Sequence, residues 1–361
     1  MFFQRVELTH FRCHTALGVD LAPGLTALVG RNGVGKTAVL EALHCLAFTR
    51  GFRPDRELLE RGAAYLQVVG RVAPGYAYQT LTYAFVPERG KRLLYDQLPA
   101  ARLADHLGRI PVVAVLPDDT RLVQGSGTDR RAWLDGLLAQ QDAHYLAALT
   151  RYQRALEQRN ALLAHAEGRA PDPALLAHYD GVLAEATGPI VTLRRRFLAA
   201  FSPQFHAAYR AIAQTDETPG LAWVDAVDDP SPATVAEALA HAQRADRAAG
   251  RTTWGLHRED LTLLLGGLPV RSHGSQGQRK TYLLALKLAQ YAYLHAALAT
   301  APLLLLDDVC DRLDEHRIAA LFAYLAAHVA GQTVVTDTSE ARIRAAVAAT
   351  GLPEPYVQRL G

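Results

Sequence analysis

The chain has 361 residues, half of them apolar and one fifth charged, with a formal net charge of only +2. This length supports two domains with sizeable cores, and the charge neither requires nor excludes nucleic acid as a partner. No apolar run approaches the length of a membrane-spanning helix, and the N-terminus lacks the apolar core of a signal peptide. Three scattered cysteines without a C-x-x-C pair exclude a disulfide framework and favour a cytoplasmic location.

The first third of the chain predicts strands around one helix. Apolar and polar residues alternate at the N-terminus, as in a half-buried strand. Two later runs flank Pro74-Gly75, a turn signal that predicts a hairpin. The predicted elements are strands at 2–9 and Leu25–Val29, a helix at Lys36–Phe48, a hairpin of 65–72 and 76–86, and a buried strand at 111–116.

From about residue 128 to 214 the apolar residues follow helical spacing. Two stripes are present: Leu146, Leu149, Tyr152, Leu156 and Leu163, then Tyr179, Leu183, Ile190, Leu193 and Phe197. The segment 168–173 between them is rich in glycine and proline and predicts a turn. We expect an antiparallel, coiled-coil-like helical arm, the alternative being an ordinary helical subdomain with core-facing stripes.

After the stripes the chain returns to an α/β pattern. The predicted elements are a helix at 234–249, short strands, a long helix near 277–298, a buried strand at 303–308 that ends in two aspartates, a helix at 313–329 and a strand at 333–336. The sequence therefore predicts an α/β head in two parts, 1–125 and 251–361, interrupted by an α-helical arm domain at 126–250.

A phosphate-binding loop follows the second predicted strand. Gly30-Arg31-Asn32-Gly33-Val34-Gly35-Lys36-Thr37 matches G-x-x-x-x-G-K-[ST] at every fixed position. Glycines let backbone N–H groups surround phosphate oxygens, and the following helix points its positive end at the same charge. We expect Lys36 to reach the β- and γ-phosphates of ATP and the Thr37 hydroxyl to bind Mg²⁺. Arginine outnumbers lysine 34 to 4 in this chain, so a lysine here stands out.

Two carboxylates end the apolar strand Leu303–Leu306, roughly 270 residues after the phosphate loop. Asp307 is expected to hold Mg²⁺ through water, because an unpaired carboxylate at the end of a buried strand would be costly. Asp308 is expected to face the γ-phosphate and orient the attacking water as the catalytic carboxylate. The alternative for both residues is a helix N-cap or a surface pair beyond a strand end.

Ser275-Gln276-Gly277-Gln278 opens the helix before the aspartate strand. Serine at a helix start is by itself weak evidence of a binding site, since any helix may begin with serine. A serine hydroxyl together with a helix N-terminus can, however, bind a second phosphate. ATPases that hold two nucleotides between two subunits place such a segment on the partner's nucleotide. The gap of roughly 240 residues from the phosphate loop argues against a transporter subunit, in which it is usually about a hundred.

Several further motifs resemble the RecF family, short-armed relatives of SMC proteins with an ABC-type ATPase head. They are Leu8-Thr9-His10-Phe11-Arg12, Gly51-Phe52-Arg53, 130–135, 152–160, Gly255-Leu256-His257-Arg258-Glu259-Asp260, 274–279, Asp307-Asp308-Val309 and Leu313-Asp314. Together with the phosphate loop they extend over nearly the whole chain.

The resemblance implies an ATP-dependent homodimer that binds gapped DNA or single-strand/double-strand junctions and helps RecO and RecR load RecA. It implies a weak, DNA-dependent ATPase. It also implies that Arg12 and Asn32 lie near the nucleotide, that the segment Ser275 to Gln278 acts in trans, and that the loop 311–314 links the two sites.

Three departures from ABC-type heads predict slow hydrolysis. Many such heads have glutamate at the position of Asp308, whereas RecF proteins commonly have aspartate there, as this chain does. Asp337 occupies the position after strand 333–336 at which such heads have a histidine. No clear metal-binding glutamine follows strand 111–116, where Asp118 or Asp119 is the candidate substitute.

DNA contacts and rival functions stay open at this point. Two basic clusters are either DNA contacts or solvated surface: Arg50, Arg53, Arg56 and Arg61, and Arg194-Arg195-Arg196. Arg53 could instead stabilise phosphate charge. The rival functions are a non-hydrolysing, ATP-switched scaffold and another SMC-like or ABC-type ATPase, although the short arm without a hinge argues against a chromosome tether.

Overall fold

The structure, a computed structural model, describes residues 2–164 and 171–361. The strands in chain order are β1 (Phe3–Phe11), β2 (His14–Asp20), β3 (Leu25–Val29), β4 (Leu66–Val72), β5 (Thr80–Val86), β6 (Gly90–Tyr95), β7 (Leu98–Pro99), β8 (Val112–Val115), β9 (Pro219–Val224), β10 (Asp260–Leu265), β11 (Leu268–Pro269), β12 (Leu303–Leu306), β13 (Thr333–Asp337) and β14 (Tyr356–Arg359). The helices are α1 (Lys36–Phe48), α2 (Asp55–Leu58), α3 (Thr120–Gln124), α4 (Gly127–Gln141), α5 (Ala143–Ala164), α6 (Pro173–Ala213), α7 (Pro232–Ala249), α8 (Val270–His273), α9 (Gln276–Leu298), α10 (Glu315–His328) and α11 (Glu340–Ala348).

The chain forms two compact units. The P-loop unit consists of Met1–Thr120, Gln204–Glu217 and Ser275–Gly361, and the helical unit consists of Arg121–Pro203 and Thr218–Gly274. This division differs from the expected boundaries at 126 and 250. Residues 251–274 lie in the helical unit because β10 pairs with β9. The last turns of α6 lie in the P-loop unit, where the Phe205 and Tyr209 rings contact Tyr282 of α9.

A five-stranded parallel sheet of order β14-β3-β13-β12-β8 forms the centre of the P-loop unit. Its middle strands are buried, as the continuous apolar run Leu303–Leu306 requires. Since all its strands are parallel, their carboxyl ends share one edge. The loop after β3, Asp307 after β12 and Asp337 at the end of β13 therefore lie on the same edge of the sheet.

A six-stranded antiparallel sheet of order β2-β1-β4-β5-β6-β7 lies in the same unit. Helix α1 contacts β1 and β4 of this sheet and β8 and β13 of the parallel sheet. Nearly every residue of α1 is buried, which explains its apolar composition on all faces. The helix therefore fixes the phosphate loop at its N-terminus to the core of the unit.

Most of the predicted elements are present. α1 and β3 have the predicted bounds, and β12 is the predicted strand but ends at Leu306, before the two aspartates. β4 and β5 form the predicted hairpin. Two helices begin at different residues because of their caps: Asp314 accepts the Arg317 N–H and starts α10 at Glu315, while Ser231 starts α7 at Pro232.

In the helical unit, α5 and α6 run antiparallel. Arg151 pairs with Glu185 at 2.8 Å, and further along α5 Arg159 pairs with Asp180 at 2.6 Å. Six residues of the predicted stripes are buried: Leu149, Tyr152, Leu163, Leu183, Ile190 and Phe197. Residues 168–170 of the predicted turn 168–173 lie outside the described ranges. The unit also contains α4, α7 and a three-stranded sheet of order β11-β10-β9.

Within the two described ranges, no helix combines the length and hydropathy that crossing a bilayer requires.

Candidate nucleotide-binding site

The phosphate loop connects β3 to the first turn of α1. Gly33 and Gly35 have φ of +88° and +90°, in the left-handed region that favours glycine. A Cβ on Gly30 would overlap the carbonyl oxygen of Leu360, so this position also requires glycine. The backbone is therefore held in a loop whose amides precede a helix N-terminus, the geometry that binds phosphate.

Lys36 lies over this loop. Its side chain is buried, and Nζ donates to the carbonyl oxygens of Gly30 at 2.9 Å and Arg31 at 3.2 Å. The ammonium is thus held by two backbone carbonyl groups at the start of the loop. A phosphate bound by the loop amides would meet this charge directly.

Thr37 and Asp307 are adjacent although 270 residues separate them in sequence. The Thr37 hydroxyl donates to the Asp307 carboxylate, at 2.9 and 3.0 Å from its two oxygens. Asp307 is only 2 % exposed, and burial raises its pKa, as does the neighbouring charge of Asp308. A buried carboxylate beside a hydroxyl is a hard oxygen donor set that suits Mg²⁺, and the cation would compensate this charge.

Asp308 has a backbone φ of +46°, which is unusual for a residue other than glycine. Its N–H donates to Thr336 Oγ1 at 2.8 Å, which stabilises this conformation. Neither Asp307 nor Asp308 caps a helix, because the short 3₁₀ turn that follows begins after Val309. The geometry therefore does not support the alternative that these carboxylates are helix N-caps.

Thr336 is a site residue that the sequence analysis missed. It is fully buried in β13, and its hydroxyl donates to Asp307 Oδ1 at 2.8 Å while accepting the Asp308 N–H. The available signal was a threonine near the end of an apolar strand that pairs with the aspartate strand.

We expect Thr336→Val to lower the free energy of unfolding by about 1–3 kcal/mol, because it leaves the Asp308 N–H without its acceptor. Thr333→Val, at a buried position of the same strand, is the matched control and should cost less than half as much. Urea denaturation of the two variants measures the difference. An equal loss in both would show that the Thr336 hydroxyl has no special role.

Arg12 lies in the turn between β1 and β2, with φ of +59°. This turn contacts the phosphate loop, since a Cβ on Gly35 would collide with the side chains of Cys13 and His14. Arg12 itself pairs with Glu41 Oε2 at 3.0 Å. The structure thus places the turn of Arg12 beside the loop, with its guanidinium held by α1.

Glu41 is a second residue that the sequence analysis missed. It is buried, and burial raises its pKa, against the opposing charge of Arg12. Its Oε1 accepts the backbone N–H groups of Phe52 at 2.8 Å and Arg53 at 3.1 Å. The signal was the one acidic residue in the apolar helix α1. Glu41 thereby anchors the Gly51-Phe52-Arg53 segment and Arg12 to the helix that carries the phosphate loop.

Ser275 and Gln278 form a capping box at the start of α9. Ser275 Oγ accepts the Gln278 N–H at 3.1 Å, and Gln278 Oε1 accepts the Ser275 N–H at 2.6 Å. Gln278 also donates to Glu217 at 2.6 Å. Ser275 and Gln276 are exposed. Within the described ranges, no hydrogen bond joins residues 275–278 to the phosphate loop of the same chain.

Comparison with known proteins identifies the family. A family profile described as an AAA domain matches residues 5–71. The chain is 37% identical to the DNA replication and repair protein RecF of Salinibacter ruber, over 94% of this chain and 85% of the relative. It is 34% identical to the RecF protein of Porphyromonas gingivalis, over 94% and 93%. The chain belongs to the RecF family.

Solved structures support the same assignment. The fold matches a structure of the recombination mediator protein RecF-ATPrS in the RecFOR pathway with a TM-score of 0.85 and 25% identity, covering 94% of this chain and 93% of that one. It matches an Smc head domain derived from Pyrococcus furiosus with a TM-score of 0.55 and 15% identity, covering 97% and 92%, which shows the fold alone. The RecF resemblance and the α/β, ABC-type ATPase head interrupted by an α-helical domain are thereby confirmed.

Motifs that define the RecF resemblance have structural roles in the helical unit. Arg130 pairs with Asp260 at 2.7 Å, and Arg194 pairs with Asp135 at 2.8 Å and Glu259 at 2.6 Å. Arg194 is buried, so the expected cluster Arg194-Arg195-Arg196 cannot act as one DNA contact. Its remaining members, Arg195 and Arg196, are exposed, as are Arg50, Arg53, Arg56 and Arg61.

Asp119, one of two candidate metal ligands after β8, is already engaged. Its carboxylate accepts the Leu116 N–H at 2.7 Å and pairs with Lys287 Nζ at 3.0 Å. Asp118, the other candidate, is exposed. The structure therefore does not place Asp119 as a free metal ligand.

Proposed function

We propose that this RecF-family protein is an ATP-dependent DNA-binding protein of recombinational repair. ATP joins two copies into a homodimer, and the dimer recognises gapped DNA or single-strand/double-strand junctions. The observation that supports the proposal is the contact of Thr37 with Asp307, which brings together two distant motifs, as a nucleotide site would require. The proposed location is the cytoplasm, which is consistent with DNA as the partner.

RecO and RecR are the proposed protein partners, and the complex helps to load RecA. Support comes from the solved relatives, which are described as recombination mediators in the RecFOR pathway, and from the names of the curated relatives as DNA replication and repair proteins.

Each residue of the site has a proposed role in binding ATP. The amides of the phosphate loop surround the phosphates, Lys36 neutralises the terminal ones, and the turn of Arg12 together with Asn32 lies beside the nucleotide. Thr37 and Asp307 would hold Mg²⁺, which supplies positive charge for the phosphate oxygens when bound. Asp308 accepts a hydrogen bond from the attacking water and orients it.

The segment Ser275-Gln276-Gly277-Gln278 is proposed to act in trans, on the nucleotide held by the other copy. Two observations support this role: Ser275 and Gln276 are exposed, and the segment has no hydrogen bond to the phosphate loop of its own chain within the described ranges. A C2 dimer would repeat the contact at two equivalent sites.

Hydrolysis is proposed to be weak, DNA-dependent and regulatory. Aspartate at position 308 has a stem one methylene shorter than glutamate, and misplacement of a catalytic group by about 1 Å can cost on the order of a hundredfold in rate. The same observation favours the second candidate function, a scaffold that ATP switches without hydrolysis. Single-turnover hydrolysis by the wild type separates the two, because the scaffold predicts none.

Sedimentation velocity with and without ATP and a gapped duplex tests the main proposal. We expect a monomer without ATP, a dimer with ATP, and comigration of the dimer with gapped DNA in preference to an intact duplex. A monomer under all conditions would contradict the proposed dimer.

Ser275→Arg is expected to spare ATP binding by the monomer and to block ATP-dependent dimerisation, because the long cation would occupy the place of the partner's phosphate. Ser231→Arg is the matched control: Ser231 caps α7 in the helical unit as Ser275 caps α9, so both variants lose about 1 kcal/mol of capping. Sedimentation and ATP titration of both variants measure the outcome. Weak ATP binding with normal dimerisation in Ser275→Arg would show that the segment acts in cis.

A further inference from the structure

Asp337 ends β13, beside the strand that leads into the phosphate loop. Its carbonyl oxygen accepts the Gly30 N–H at 3.2 Å, so it contacts the first residue of that loop directly. Its side chain is 1 % exposed, and a carboxylate buried this deeply requires charged or hydrogen-bonded partners. The Ser339 N–H donates to Oδ1 at 2.6 Å.

Arg342 of α11 is the charged partner of Asp337. Its Nε donates to Asp337 Oδ2 at 3.1 Å and its Nη2 to Oδ1 at 2.6 Å, a two-point contact that suits the planar guanidinium. The same Nη2 also pairs with Asp311 Oδ1. The Arg342 guanidinium therefore connects Asp337, which contacts the phosphate loop, to Asp311, which follows Asp307 and Asp308 in the chain.

The segment from Asp307 to Asp311 is thus held at both ends. Thr336 binds Asp307 and the backbone of Asp308 at the start, and Arg342 binds Asp311 at the end. Between them the buried Cys310 thiol donates to Asp337. β13 and α11 together therefore determine where the backbone of Asp308 lies relative to the phosphate loop.

We infer that Arg342 is a positioning residue of the nucleotide site, which fixes Asp308 relative to the phosphate loop by holding Asp311 against Asp337. This inference rests on the proposed function, since Asp308 must orient water for its position to matter. Arg342 itself acts through the two aspartates and contacts neither ATP nor the attacking water in this scheme.

The test compares Arg342→Ala with Arg344→Ala, two positions along the same helix. Arg344 pairs with Glu340 at 2.9 Å on the surface, away from Asp311 and Asp337. ATP affinity is measured by calorimetry and hydrolysis by single turnover. We expect Arg342→Ala to change the Kd for ATP less than about threefold and to slow hydrolysis by tenfold to a hundredfold, on the order expected for a misplaced catalytic group. Arg344→Ala should leave both unchanged.

Arg342→Lys separates positioning from a purely structural role. The compact ammonium keeps the charge beside the buried Asp337 but lacks the fork that reaches both aspartates. We expect it to restore the thermal stability lost in Arg342→Ala without restoring the hydrolysis rate. Complete recovery of the rate with lysine would overturn the bridging role, and so would a parallel fall in ATP affinity and rate in Arg342→Ala.

Asp311→Asn keeps the test decisive if Arg342→Ala does not fold, because Asp311 is partly exposed and the Arg342–Asp337 contact remains. By itself, Asp311→Asn should slow hydrolysis by tenfold to a hundredfold and change the Kd for ATP less than about threefold. Where Arg342→Ala does fold, combining the two substitutions should add little. A wild-type protein that neither dimerises with ATP nor hydrolyses it would contradict the proposed function, and this inference with it. If Arg342→Ala and Asp311→Asn both hydrolyse ATP at the wild-type rate, this inference is overturned and the proposed function is not.

Discussion

Lys36→Ala is expected to weaken ATP binding by at least about a hundredfold. The side chain is buried over the phosphate loop, where its ammonium is placed by the carbonyl oxygens of Gly30 and Arg31. Two hydrogen bonds from a cation to phosphate contribute about 1.5–3 kcal/mol each, and their joint loss of about 3 kcal/mol corresponds to a hundredfold in Kd. ATP-dependent dimerisation should be lost at the same time.

Lys91→Ala is the matched control for this variant. Lys91 is one of the four lysines of the chain, and it pairs with Asp55 at 3.3 Å away from the phosphate loop. Calorimetric titration with ATP should show wild-type affinity for Lys91→Ala and an intermediate loss for Lys36→Arg, because the guanidinium keeps the charge but not the compact shape. Unchanged affinity in Lys36→Ala would show that this loop is not the nucleotide site.

Asp308→Asn is expected to slow single-turnover hydrolysis by about a hundredfold while ATP stays bound. An amide cannot accept the proton of the attacking water as a carboxylate does, and effects of general-base groups are typically 10²–10⁴-fold. Thr37 and Asp307 are unchanged in this variant, so Mg²⁺–ATP should bind as before. The dimer should then remain closed on DNA for longer than in the wild type.

Dimer lifetime after removal of free ATP, measured beside single-turnover hydrolysis, tests this expectation. Asp216→Asn, which alters an exposed carboxylate of the same unit, controls for the loss of one negative charge. Normal hydrolysis by Asp308→Asn would reject the assignment and direct attention to Asp307 or Asp311.

The basic segment Arg194-Arg195-Arg196 shows how a local pattern can mislead. Successive residues of a helix point about 100° apart, so three arginines in a row cannot share one face. Arg194 lies four residues after Ile190 and three before Phe197, both buried in the stripe of α6. Its position on that stripe was a usable signal of burial, whereas its buried partners Asp135 and Glu259 are distant in sequence and could not be assigned without the fold.

The sequence by itself determined the phosphate loop and several central elements, whereas β2, β6, α11 and β14 were not predicted. A parallel strand buried on both faces is encoded by a continuous apolar run, and a phosphate loop is encoded by a short contiguous motif. Local sequence therefore predicts β3, β12, α1 and the position of Lys36. The family also followed from motifs distributed along the chain, as the relatives confirm.

Only the tertiary structure decided which side chains support those motifs. Thr336, Glu41 and Arg342 carry no motif, and each acts through a partner that another element brings close: Thr336 through Asp307, Glu41 through Arg12, and Arg342 through Asp311. These pairs form because parallel strands place their carboxyl ends at one edge of the sheet. They also form because each buried polar group requires a hydrogen-bond partner. These pairs lie 29 to 31 residues apart, on different elements, so they arise from the packing of the chain, and local sequence does not encode them.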